Sequence, residues 1–218
     1  MTGLCVIVGA GAGVSLGVAK RFAQEGFEIA LLARRAAALA EQVAVLTSSG
    51  AWASGYVADA STPTSLQQAF DQIKAEIGPP TVLVYNAAAI RQGAPAGLPV
   101  DDLMADLMVN VGGALVAAQQ VIPAMRSAGQ GTILFTGGGL ALNPNARYAS
   151  LAIGKAAMRN LALTLAQELA ATGIHVATVT IDGFVKPGTH FDPDQIAETF
   201  WTLHSQAREQ WQPEIVYK

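Results

Sequence analysis

The chain has 218 residues, 51% of them hydrophobic and only 13% charged, with 16 acidic against 13 basic residues and a formal net charge of -3. Such a composition is too apolar for a disordered chain, and without a basic block it argues against a nucleic-acid or anionic-membrane partner. The length suits one domain with a substantial core.

Residues 4–8 form an unbroken apolar run, the pattern of a strand covered on both faces. The run enters a glycine-rich loop at Gly9, Gly11 and Gly13, and helical spacing follows over 14–24. A second buried strand is expected at 27–33, a helix at 34–46 and a third strand at 51–58. The stretch 59–63 predicts a turn and a capped helix start, because Ser or Thr before Pro suits a first helical turn. A fourth strand at 81–85 leads to a Gly/Pro-rich loop at 93–99 and a helix with few charges at 101–126. A fifth strand at 132–135 is followed by a glycine loop at 137–139, and 149–171 reads as a long helix apolar on nearly every side. A sixth strand at 174–181, a polar helix near 193–208 and a short strand at 214–217 complete the order.

About seven strands alternating with helices predict an α/β fold, a doubly wound parallel sheet with helices on both faces, since each parallel crossover needs a helix. Residues 1–218 read as a single domain with a short substrate segment at about 182–213. Cys5 is the one cysteine and sits in an apolar run, so a reducing, cytoplasmic setting is expected. No uninterrupted apolar run approaches the ~20 residues of a membrane span. No cluster of His, Cys and acids has metal-ligand spacing, so no metal is expected. His175 reads as structural, and His190 is a candidate for lining a substrate pocket.

Ligands of such a sheet bind beyond the carboxyl ends of the strands. There, the small residues Gly9, Gly11 and Gly13 let backbone approach a pyrophosphate, and the following helix offers free N–H groups and a favourable dipole. The second strand ends at Arg34 and Arg35 with no acid, which favours NADP(H), with NAD(H) the alternative, because arginine suits a 2′-phosphate.

The spacing of these residues resembles the short-chain dehydrogenase/reductase superfamily, a Rossmann-like fold, over almost the whole chain. By that resemblance Asp59 in Val57-Ala58-Asp59 would bind the adenine amino group, and Asn86-Ala87-Ala88 would border the cofactor. Asn110 in Val109-Asn110-Val111 would support a proton relay, and Lys155 would bind the nicotinamide ribose. Val185, in Gly183-Phe184-Val185-Lys186, would lie in the loop that contacts the carboxamide.

The departures are specific. The superfamily's common Tyr, three residues ahead of the Lys, is Leu151 here, and its common Ser falls at Gly137-Gly138. A divergent, enoyl-reductase-like branch fits better. Gly9 and Ser15 have five residues between them, Tyr148 and Lys155 have six, and Leu151 fills an apolar slot. The further Tyr usual in that branch is Gly138. Six intervening residues set Tyr148 two helical turns from Lys155 at roughly the same azimuth. Tyr148 would donate a proton to, or hydrogen-bond, a substrate oxygen, and Thr136 is the alternative hydroxyl.

The resemblance implies hydride transfer to or from a carbonyl or activated alkene of a small molecule. The competing expectation is a catalytically silent NADP(H)-binding sensor or regulatory protein. The apolar helices 101–126 and 149–171 predict a homodimer or homotetramer formed through them.

Overall fold

A computed structural model describes residues 3–218. The elements run β1 (Gly3–Val8), α1 (Val14–Gln24), β2 (Phe27–Ala33), α2 (Ala36–Ser48), β3 (Ala53–Val57), α3 (Pro63–Glu76) and β4 (Val82–Tyr85). They continue with α4 (Val100–Leu107), α5 (Gly113–Ala128), β5 (Gly131–Gly138), α6 (Ala149–Leu169), β6 (Ile174–Ile181), α7 (Pro193–His204) and β7 (Glu214–Tyr217). All strand pairs are parallel, in the order β3-β2-β1-β4-β5-β6-β7. This is the doubly wound sheet expected from the alternation.

Strand side chains alternate between two cores. On one face Val6, Val8, Leu83 and Phe135 pack with Phe70 of α3, Ala117 and Val121 of α5 and Met158 of α6. On the other, Ile7, Ile29, Val84 and Leu134 pack with Phe22 of α1, Leu46 of α2 and Phe200 of α7. Strand order reverses at β1, which has β2 on one side and β4 on the other. The helices before and after that reversal lie on opposite faces, so a crevice opens beyond the carboxyl ends of β1 and β4.

Two expectations are corrected. The helix at 101–126 is interrupted: Met108–Gly112 is a π-helical turn between α4 and α5. Tyr85 Oη donates to the Val109 carbonyl at 2.5 Å, and a Cβ on Gly113 would lie 2.4 Å from both Tyr85 Oη and the Ala60 carbonyl oxygen. The hydroxyl competes for a helix carbonyl, and the glycine lets α5 close onto the sheet. The fifth strand also runs past its expected end into Gly137 and Gly138, which pair with Thr180 and Ile181 of β6. A Cβ on Gly137 would meet the Thr178 and Thr180 hydroxyls at 2.7 Å. The glycines there continue the ladder against a crowded neighbour, whereas a loop had been expected.

One helical stretch, Val100–Ala128, is long and apolar enough by composition to cross a membrane, with a mean hydropathy of 1.4. In this fold its α5 portion buries Ala114, Ala117, Ala118 and Val121 against the sheet. Val100, Met104 and Leu115 on α4 and α5, and Ile153 on α6, are exposed apolar side chains.

Candidate active site

The loop after β1 is held by backbone first. Gly9 and Ala10 both donate to the Leu32 carbonyl at 2.9 Å. Gly9 has φ +86°, and a Cβ on it would lie 2.3 Å from the Ala87 nitrogen, so only glycine satisfies both the torsion and the space. Ser15 Oγ, in the first turn of α1, donates to the Gly9 carbonyl at 2.7 Å. Asn86 Nδ2 donates to Ser15 Oγ at 2.6 Å and to the same carbonyl at 3.2 Å. Three segments far apart in sequence thus lock the entry to α1.

What this lock leaves open fits a dinucleotide. Nothing lies within 4 Å of a Cβ built on Gly11 or Gly13, and α1 has no side-chain cap. The amides of Gly11, Ala12 and Gly13 make no hydrogen bond among the described residues. Beside the loop is a cavity of about 600 Å³ whose lining includes Gly9, Arg34, Arg35, Asp59, Asn86 and Ala87. Asp59 Oδ1 accepts from the amide and the hydroxyl of Ser61 at 2.8 and 2.7 Å. Those bonds, more than nearby Arg34, hold its carboxyl below the usual range. Both arginines are exposed, and neither makes an ion pair among the described residues.

Asn110 sits in the π turn, buried, and accepts from the Ala89 amide through Oδ1 at 2.8 Å. Ala89 lines the same cavity. A Cβ on Gly154 would lie 2.7 Å from Asn110 Nδ2, so that glycine admits the asparagine against α6. The π turn therefore ties the loop after β4 to the helix carrying Lys155.

Lys155 is half-buried, and its Nζ donates to the Thr136 carbonyl at 2.5 Å. Burial pushes its pKa down to about 8. A Cβ on Gly138 would lie 3.6 Å from Lys155 Cδ and Cε, so the lysine stem runs over bare backbone at the end of β5. Leu151, one turn earlier, is buried. The Thr136 hydroxyl is buried with no hydrogen-bond partner among the described residues. Tyr148 precedes α6 and is half-buried, with its hydroxyl accepting from Gln92 Nε2 at 3.4 Å. Arg147 donates to Gln92 Oε1 from Nε and Nη2, at 3.3 and 3.0 Å.

Val185 is exposed in the loop after β6, next to Phe184, which is 92% exposed. His190 is engaged away from any cavity described: Nε2 is 3.0 Å from the Lys218 carbonyl, and the ring stacks on Tyr217. His175 stacks on Trp211 at the amino end of β6. Two smaller cavities, of about 360 and 280 Å³, flank that pair, at the sheet end opposite the glycine loop. Among the described residues no group of three or more His, Cys, Asp or Glu is placed to hold a metal.

Sequence reasoning missed the brace under α6. Buried Asp106 accepts from Arg91 Nε at 2.9 Å and from Ser150 Oγ at 2.6 Å. Its partners stand 15 and 44 residues away, so no local spacing marks the acid as buried.

The family model for short chain dehydrogenase matches residues 4–192. The chain belongs to the short-chain dehydrogenase family. A short chain dehydrogenase of Pseudocercospora fijiensis is 29% identical over 171 residues, covering 78% of this chain and 55% of the relative. The chain thus spans about half the length of that family member. A solved short-chain dehydrogenase from Rhodopseudomonas palustris superposes with a TM-score of 0.90 at 25% identity, covering 100% of this chain and 99% of the other. A metagenomic short-chain oxidoreductase solved in complex with NADP gives 0.91 at 23% identity, covering 99% and 96%.

Proposed function

We propose that this short-chain dehydrogenase is an NADP(H)-preferring oxidoreductase acting on a carbonyl or activated alkene of a small molecule. The observation that carries the reading is the 600 Å³ cavity, which joins the glycine loop, Arg34 and Arg35, Asp59 and Asn86 on one surface. The NADP complex of the metagenomic relative supports the same choice of cofactor. When bound, the nicotinamide supplies or takes up a hydride, and the protein provides orientation and electrostatics.

In this reading the amides from Gly11 to Gly13 hold the pyrophosphate, and Asp59 meets the adenine. Arg34 or Arg35 pairs with the 2′-phosphate, and Val185 borders the carboxamide. Lys155, Tyr148 and Asn110 form the catalytic group. Asn110 keeps α6 and the loop after β4 in register, while Tyr148 hydrogen-bonds the substrate oxygen. The segment 182–213 borders the substrate, and the single domain acts in a reducing, cytoplasmic setting.

Fluorescence titration tests the cofactor. NADPH is expected to bind at least about tenfold more tightly than NADH, since a charge-assisted hydrogen bond contributes about 1.5–3 kcal/mol. The Arg34→Ala/Arg35→Ala double variant is expected to lose that preference; equal affinities in the wild type would remove the basis for NADP(H).

The proposal extends to assembly. Val100, Met104, Leu115 and Ile153 present exposed apolar surface on the two helical segments expected to pair. Light scattering is expected to report a dimer or tetramer at micromolar concentration, and a monomer mass would refute it.

A further inference from the structure

We propose that Arg91 is a positioning residue: its fork on Asp106 fixes the loop after β4 against the start of α6, and so sets Tyr148 relative to the cofactor cavity. The inference rests on the oxidoreductase reading, with Tyr148 as its hydroxyl, and adds a residue that reading did not use.

The loop spans residues 86–93 and touches both halves of the candidate site. At its near end, Asn86 donates from its amide to the Val8 carbonyl at 2.8 Å and from Nδ2 to Ser15 and Gly9. Asn86 to Ile90 line the 600 Å³ cavity. At its far end, the Gly93 amide donates to the Arg147 carbonyl at 2.8 Å, and the Ala149 amide donates to the Gly93 carbonyl at 3.3 Å. Those bonds bracket Tyr148, whose hydroxyl accepts from Gln92 Nε2. Arg91 thus stands between Ile90, on the cavity, and Gln92, on Tyr148. Residues 86–92 belong to neither strand nor helix, so no backbone ladder fixes the span between the two ends.

The Arg91 side chain holds the middle instead. Its Nε donates to Asp106 Oδ2 at 2.9 Å and its Nη2 to Asp106 Oδ1 at 3.2 Å, a side-on fork. Nη1 lies 3.0 Å from Asp102 Oδ2, one turn earlier on α4. The same Asp106 Oδ2 accepts from Ser150 Oγ at 2.6 Å. Ser150 is in the first turn of α6, just after Tyr148 and Ala149. One carboxylate oxygen is therefore shared by the loop and the helix, with a hydrogen bond to each. A planar guanidinium bound at two atoms fixes direction as well as distance, which a lysine ammonium does not.

The neighbouring contacts act at other points. Asn110, a turn after Asp106, holds the loop at the Ala89 amide, on the cavity side of Arg91. Arg147 reaches Gln92 from the exposed face, and its backbone belongs to the segment being placed. Arg91, more than Ser150, keeps the Asp106 carboxyl below the usual range, so the fork stays charged at neutral pH. Asp106 is only 4% exposed. A pair on so buried an acid adds little net stability over apolar packing, and what it supplies is fixed geometry.

The first test needs no cofactor. Arg91→Lys keeps the charge and removes the fork, so the variant is expected to fold. Hydrogen exchange followed by peptide mass spectrometry is expected to quicken about tenfold or more at Gly93 and Ala149, with β1, β4 and β5 unchanged. Unchanged exchange at Gly93 and Ala149, or quickening throughout the sheet, would overturn the positioning role.

The second test uses NADPH and the simple ketones or enones that the wild type reduces. Arg91→Lys is expected to bind NADPH within about threefold of wild type yet lose about tenfold in kcat, because a small displacement of a reacting group suffices. In a Tyr148→Phe background the same substitution is expected to cost nothing further, since effects routed through one group do not add. An equal loss in both backgrounds would overturn the inference. A wild type that binds neither NADPH nor NADH overturns the oxidoreductase reading itself. Full turnover in Tyr148→Phe overturns only that reading's use of Tyr148, whatever the exchange at Gly93 and Ala149 shows.

Discussion

The two ends of the candidate site differ in which groups are satisfied. At the phosphate end, the side chains that shape the loop are paired, Ser15 and Asn86 with each other and with the Gly9 carbonyl, and only the backbone amides of Gly11 to Gly13 are left open among the described residues. At the reaction end, the groups are left short of partners. Among the described residues the Thr136 hydroxyl is buried and unpaired, and Lys155 has one carbonyl partner and no carboxylate. A fully satisfied network rigidifies backbone, whereas an under-satisfied one holds groups ready for a ligand at a cost in stability. The contrast teaches that this fold fixes the loop after β1 with paired side chains and leaves the candidate groups around Lys155 with fewer partners.

The largest expected effect comes from disturbing the rigid end. Gly9→Ala combines a positive φ with a Cβ set 2.3 Å from the Ala87 nitrogen. Strain and overpacking together are expected to cost about 3 kcal/mol or more, and to displace the loop. Chemical denaturation would show the loss and a nucleotide titration the weakened binding. A variant as stable as wild type would mean that the two ends do not differ as described.

A smaller effect should appear at the reaction end as pH changes. The folded-state pKa of Lys155 is lowered by burial to about 8 from 10.5. The unfolded chain therefore holds more protons between those values, and stability rises with pH across that window. Below about 8 the full cost of burying the charge is present; above 10.5 it is gone. Wild type is expected to gain up to about 3 kcal/mol relative to Lys155→Met between pH 8 and 10.5, less whatever partial solvation of the ammonium removes. Parallel stability curves for the two proteins would show that Lys155 is not held in a desolvated site.

The smallest effect sharpens the contrast most. Gly138 directly follows crowded Gly137, yet a Cβ on it meets Lys155 at an ordinary 3.6 Å. Gly138→Ser is expected to change stability by less than about 1 kcal/mol, as surface-like substitutions do. The same swap at Gly9 would be ruinous. A thermal melt lowered by many degrees in Gly138→Ser would show that the reaction end is as tightly filled as the phosphate end.

Much of this was legible in the chain itself. The alternation of buried runs with helical periods specified a parallel doubly wound sheet, because a strand covered on both faces and a crossover helix are each local patterns. The glycine loop, Arg34, Arg35, Asp59 and Asn86 could be named because each directly follows a strand, and the sheet gathers strand ends at one edge. Other features depended on pairs that no window contains. The π turn arises where Tyr85 reaches the Val109 carbonyl, 24 residues on. The extension of β5 through Gly137 and Gly138 follows from the ladder with β6, which overrides the turn preference of glycine.

Sequence alone determined the fold, the family resemblance and the side of the sheet on which chemistry would lie. Those are set by local periodicity and by residue types at strand ends. Tertiary structure decided which partners the candidate groups meet. It set the Tyr148 hydroxyl to accept from Gln92, braced α6 through Asp106 and Ser150, and gave Lys155 one carbonyl partner among the described residues. The physical reason is that desolvation and hydrogen-bond satisfaction are properties of a residue's whole surroundings, and those surroundings come from segments distant in the chain.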